Sequence, residues 1–155
     1  MKLITYLRPE YIEIGITAAS KDELIRRMVE IAARNPNVQD KDKVLTAITE
    51  RERIMSTGVG KGFAIPHGKT DAVGDIVLAF GVTKEGVDYA SMDNEPVRLV
   101  LLLVSREGDV GVRLKLLSRA SKVMSSDSAR KALLEATTSE QVLDILRAEE
   151  ERIGD

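Results

Sequence analysis

A chain of 155 residues with 43% hydrophobic and 31% charged side chains is expected to be soluble, and 3% aromatic content makes its core aliphatic. Twenty-three basic against 25 acidic residues leave a net charge of −2, which with so few stacking rings argues against nucleic-acid binding. Zero cysteines and one histidine exclude disulfides, thiolate chemistry and the usual zinc sites, so neither metal nor cofactor is expected. No apolar run spans a bilayer and the N-terminus breaks off too early for a signal peptide, so the expected location is cytoplasmic, with no direct membrane insertion.

Tyr11 to Ile16 alternates apolar and other residues, as a half-buried strand does. Ser20 followed by Glu23 forms a capping-box pattern, and Leu24, Met28, Ile31 and Ala32 recur at helical spacing until Asn35-Pro36 ends the helix. A second helix starts near Asp40 with Val44, Leu45, Ile48 and Glu52 on one period, places Arg51 in its last turn and fades at Ser56-Thr57-Gly58. From Gly58 to Gly68, four glycines and a proline predict a loop holding one short strand, Phe63-Ala64-Ile65.

Ile76 to Val82 and Val97 to Val104 read as central strands, and the second is so continuously apolar that both sheet faces need covering layers. Helices are available to cover them. Val110, Leu114, Leu117, Ser121 and Met124 suggest one buried stripe, Ala129 to Ala136 a shorter helix, and Ser139 opens a C-terminal helix with Val142, Leu143 and Leu146 inward. The expected fold is α/β (α+β in some schemes), a three-layer helix/sheet/helix sandwich on a mixed central sheet, with one domain over residues 1–155. Lys115, Arg119 and Lys122 form a basic stripe on the helix near residue 113, either a solvated face or a surface for an acidic partner.

The most unusual string is Ser56-Thr57-Gly58-Val59-Gly60-Lys61-Gly62-Phe63-Ala64-Ile65-Pro66-His67-Gly68. It is not a phosphate-binding P-loop: Gly62 follows Gly60-Lys61 where Ser or Thr belongs, Met55 replaces the leading glycine, and a helix, not a strand, precedes it. A lone histidine can simply be a structural residue satisfied by hydrogen bonds. Here, though, Pro66 fixes the backbone before the ring and Gly68 removes bulk after it. Neutral imidazole, with an ordinary pKa of ~6.5, keeps a nucleophilic nitrogen at cellular pH and suits phosphoryl transfer. Backbone amides of the glycine-rich loop, with Arg51, Ser56 and Thr57, are the local candidates for stabilising phosphate oxygens. Ser56 and Thr57 are equally read as helix-ending turn residues, and Arg51 as a solvated last-turn cation.

The string from Ser56 through Lys69, with Arg51-Glu52-Arg53 before it and Met92-Asp93-Asn94-Glu95-Pro96-Val97 after it, resembles the enzyme IIA domain of the phosphoenolpyruvate-dependent sugar phosphotransferase system, fructose/mannitol class including the nitrogen-regulatory branch. The resemblance implies that His67 is the phosphorylated residue and that Arg51 is the arginine beside it. It implies a phosphocarrier that takes a phosphoryl group from a histidine phosphocarrier protein. The group then goes to an enzyme IIB, or His67 phosphorylation alters the choice of a regulatory target protein. Many relatives carry a second active-site histidine where this chain has Arg113. Arginine is a permanent cation that still pairs with phosphate, so the departure bears on onward transfer more than on acceptance.

Overall fold

Helix starts are written in capping chemistry. In the computed structural model, which describes residues 1–155, Ser20 accepts the Glu23 amide to open α1 (Lys21–Ala32) and Asp40 accepts that of Lys43 to open α2 (Lys41–Ile54). Ser126 and Thr138 do the same for α4 (Asp127–Glu135) and α5 (Ser139–Ile153). The remaining helix, α3 (Val110–Met124), lacks a side-chain cap because the Asp109 carboxylate is engaged by Arg106. No helix is long and apolar enough to cross a membrane.

Six strands make one mixed sheet: β1 (Ile12–Ile16), β2 (Gly58–Gly60), β3 (Phe63–Ala64), β4 (His67–Lys69), β5 (Val77–Val87) and β6 (Val97–Ser105). Their order is β1-β5-β6-β3-β2, with β4 also paired to β6. The two apolar runs are central, as expected, and antiparallel to one another, while β1 runs parallel to β5, β3 and β4 run parallel to β6, and β2 is antiparallel to β3. Side chains two apart share a sheet face, so Leu99, Leu101 and Leu103 pack towards α3, α4 and α5, and Val100, Leu102 and Val104 towards α1 and α2. These are the three layers the apolar pattern requires.

The structure departs from the sequence expectation in three places. The glycine-rich segment contains three short strands, not one, and β3 and β4 lie in succession along the same edge of β6, joined at Ile65-Pro66. The buried stripe of α3 is Leu116, Ala120, Val123 and Met124, whereas Val110 and Leu114 are exposed. The basic stripe is broken as well. Arg119 is buried against Glu150 (Nε–Oε2 2.9 Å) and its guanidinium also donates to the Glu150 and Gly154 carbonyls. That carboxylate accepts the Leu3 and Ile4 amides too, so one ion pair ties both chain ends to α3.

Candidate functional site

β4 owes its position to two neighbours. It pairs in parallel with the last residues of β6 (His67 with Leu103, Gly68 with Val104, Lys69 with Ser105), and the Leu103 amide donates to the Pro66 carbonyl at 3.0 Å. On its other side α2 packs directly on the strand backbone. A Cβ built at Gly68 would lie 3.0 Å from both the carbonyl carbon and the oxygen of Ala47, so only glycine admits this approach without displacement. Arg51 lies one helical turn beyond Ala47 and is thereby carried to His67.

The half-buried His67 ring is oriented by its own loop: Nδ1 lies 2.8 Å from the Ile65 carbonyl oxygen. A carbonyl only accepts, so Nδ1 carries the proton and Nε2 the free lone pair. Burial pushes the imidazole pKa below its ordinary value; the hydrogen bond to Ile65 opposes this, the positive field of Arg51 reinforces it, Glu52 opposes and Arg113 reinforces. The ring is thus held neutral and nucleophilic.

It opens on a pocket of about 410 Å³ lined by Glu50, Arg51 and Ile54 of α2, Lys69 of β4, and Glu107 and Arg113 across it. Arg51 is steadied by the Met55 carbonyl (Nη1–O 3.0 Å) and Arg113 by the Ser105 hydroxyl (Nη1–Oγ 2.8 Å). No carboxylate lies within 4.0 Å of the charged nitrogens of Arg51, Lys69 or Arg113. Three cations without ion-pair partners thus surround a neutral imidazole, an arrangement with the chemistry to take a group that is both electrophilic and anionic.

The structure brings His67, Arg51 and Arg113 together but leaves Ser56 and Thr57 outside the pocket. Ser56 Oγ bridges the Tyr89 carbonyl and the Gly58 amide. Thr57 Oγ1 donates to Glu52 (2.5 Å) within a buried cluster completed by the Tyr89 hydroxyl and by Lys21, whose Nζ is 2.6 Å from Glu52. Both therefore hold the loop, which is their turn reading. Lys69 and Ser105 were not singled out from the sequence. Neither carries a local signal: β4 is three residues long in a segment expected to be loop, so the face that Lys69 shares with His67 and the place of Ser105 both depend on strand pairing.

The family model "Phosphoenolpyruvate-dependent sugar phosphotransferase system, EIIA 2" matches residues 5–149. The chain belongs to this family. As an enzyme IIA domain it is 37% identical over 94% of its length to the fructose-specific EIIABC component of Bacillus subtilis, of which it spans 23%. It is 35% identical to the fructose-specific EIIA component of Haloferax volcanii, covering 88% of this chain and 89% of that one. Among solved structures, the nitrogen regulatory protein IIA-Ntr of Neisseria meningitidis superposes with a TM-score of 0.87 at 30% identity, covering 93% and 98% of the two chains. The Escherichia coli complex of enzyme IIA and phosphorylated enzyme IIB for mannitol matches at TM-score 0.80 and 25% identity, covering 92% and 97%. The family thus includes fructose, mannitol and nitrogen-regulatory members, and this enzyme IIA domain shares their α/β sandwich.

Proposed function

We propose that the chain is a cytoplasmic phosphocarrier, acting through one domain over residues 1–155, in which His67 accepts a phosphoryl group from a histidine phosphocarrier protein. The observation that carries this reading is the His67 ring itself, with its Nδ1 proton engaged by Ile65 and its other nitrogen free beside three cations without ion-pair partners. The Nε2 lone pair attacks phosphorus, the P–N bond to the carrier's imidazole breaks, and that imidazole leaves with the bonding pair. Arg51, Arg113 and Lys69 meet the phosphoryl oxygens. Nothing in this step needs a cofactor.

Partner docking is supported by the pocket's surroundings: Ile54 and Met55 at the end of α2 and Val110 and Leu114 on α3 are large apolar side chains left at least half exposed. Ile54 lines the pocket, Met55 ends the helix that carries Arg51, and Val110 and Leu114 share the α3 turn of Arg113, so that they suit successive contact with the carrier and with an enzyme IIB. A second reading, a regulatory module whose partner choice follows His67 phosphorylation, is favoured by Arg113: a permanent cation stabilises the phosphorylated state and disfavours release. Similarity to a nitrogen regulatory protein points the same way.

Incubation with phosphoenolpyruvate, the general first enzyme and the carrier protein should add one acid-labile phosphate to the wild type and none to His67→Ala. No mass gain, or an equal gain in both, overturns the proposal. Addition of an enzyme IIB then separates the two readings, since rapid loss of the phosphate indicates transport and its retention indicates regulation.

A further inference from the structure

We propose that Ser105 is a positioning residue for phosphoryl acceptance: its buried hydroxyl holds the Arg113 guanidinium at the His67 pocket in advance of the phosphoryl group. The proposal rests on the phosphocarrier reading above and adds a device that belongs to this chain's own arginine.

Ser105 is the last residue of β6 and fully buried. Its backbone is fixed from the side, being paired with Lys69 while its carbonyl accepts the Thr70 amide at 2.9 Å. The hydroxyl therefore offers a stationary acceptor. The corner between β6 and α3 is equally constrained. The Asp109 amide donates to the Arg106 carbonyl, the Arg106 guanidinium holds the Asp109 carboxylate, and the Glu107 amide donates to Asp71. One turn into α3 the Arg113 amide bonds the Asp109 carbonyl, so both the root and the tip of the Arg113 side chain are anchored.

The chemistry of the anchor matters as much as its position. A carboxylate at residue 105 would order Arg113 but cancel its charge. A serine oxygen accepts one of the five guanidinium N–H groups and leaves the net charge and the remaining donors for phosphate. A long, mobile side chain held in this way loses less freedom when the phosphoryl group arrives. His67 faces the other charged groups too, namely Glu50 and Arg51 from α2, Lys69 on its own strand and Glu107 beside Arg113, and it feels the field of Glu52 from outside the pocket. Only Arg113 among them hydrogen-bonds the Ser105 hydroxyl.

The test is a double-mutant cycle on the full chain, reading the equilibrium constant for phosphoryl exchange with the carrier protein. Ser105→Ala should lower it about fivefold, the loss expected for one ordinary hydrogen bond. Ser105→Thr should keep it within about twofold of wild type, since the acceptor oxygen remains. In an Arg113→Gln background Ser105→Ala should have no further effect. An equal fall in both backgrounds, or no fall with Arg113 present, overturns the proposal. Ser105→Cys, close in size and a weak acceptor, replaces alanine if the latter fails to fold. If the wild type takes no phosphate at all, the phosphocarrier reading fails, and NMR titration of the His67 ring decides the positioning role by itself. Releasing Arg113 should move the midpoint of Ser105→Ala upward, and not in the Arg113→Gln background. An unmoved midpoint overturns it.

Discussion

Gly68→Ala tests the contact on which the site's geometry depends. The added Cβ would stand 3.0 Å from the Ala47 carbonyl carbon and oxygen and 3.2 Å from the Ile48 nitrogen, all backbone atoms inside a helix. None can rotate aside as a side-chain tip would, and ordinary contact starts at 3.4 Å, so α2 and β4 must separate by roughly 0.4 Å. β4 is held to β6 at three successive pairs, which makes α2 the element that moves, and Arg51 moves with it. Overpacking of this kind costs about 1–3 kcal/mol, or roughly 2–12 °C in Tm for a chain of this size. Since a 1 Å misplacement can cost on the order of 100-fold in rate, 0.4 Å corresponds to about fivefold to tenfold. Thermal unfolding and the initial rate of carrier-driven phosphorylation read the two effects. Gly111→Ala, with nothing within 4 Å of the new Cβ, is the stability control and should not lower Tm. A Gly68→Ala protein melting within ~1 °C of wild type and phosphorylated at the same rate would refute the idea that glycine sets the distance between α2 and His67.

Three further outcomes follow from the same structure. Because the folded His67 pKa lies below its ordinary value of ~6.5, the neutral acceptor persists as pH falls through that value, and phosphorylation should decline only at lower pH; the stability this group contributes is complete above the unfolded pKa and is lost as pH falls through the folded one. A rate already halved at or above pH ~6.5 contradicts this. Glu52→Ala strips the partner from Lys21, Thr57 and Tyr89 in a buried cluster and should cost about 2–4 kcal/mol in denaturant unfolding, whereas a loss under ~0.5 kcal/mol would mean the cluster is incidental. Glu150→Ala leaves Arg119 buried without its ion-pair partner and frees two amides; a loss of about 3–5 kcal/mol is expected, with faster hydrogen exchange at Leu3 and Ile4, and unchanged exchange there would count against the tie between the chain ends.

Legibility in the sequence tracked how much of each element's position is decided by its own residues. α1 was readable because its cap and its stripe of Leu24, Met28 and Ile31 agree, and β6 because nearly every residue is apolar. α3 was misread because Val110 and Leu114 have the spacing of a buried stripe yet face solvent beside the pocket, while a charged residue, Arg119, takes an interior place by meeting a carboxylate 31 residues away. No local pattern encodes that meeting. β2, β3 and β4 are two or three residues each, too short for any period, and exist through pairing with one another and with β6. The same division runs through the site. His67 and Arg51 stand in recognisable strings and Arg113 is marked by its departure from the family pattern, whereas the placement of Ser105 and Lys69 follows from a strand register that the sequence does not display.

One consequence of that register concerns how α2 is kept from turning. Consecutive helical residues project about 100° apart, so Arg51 can face the pocket only if Glu52 faces away from it, and Glu52 does so into a cluster that accepts from Thr57 twice, from Tyr89 and from Lys21. Rotation of α2 about its axis would break all of these at once, while translation towards β4 is stopped by the Gly68 backbone and translation away would open the Ile48 and Val44 packing. The helix is therefore limited in rotation and in distance by contacts that involve neither His67 nor any phosphate. A cation placed in this way exerts its field on the ring in advance, so in the proposed phosphoryl acceptance stabilising the incoming charge would require little rearrangement of the protein, which is the condition under which electrostatic stabilisation is most effective.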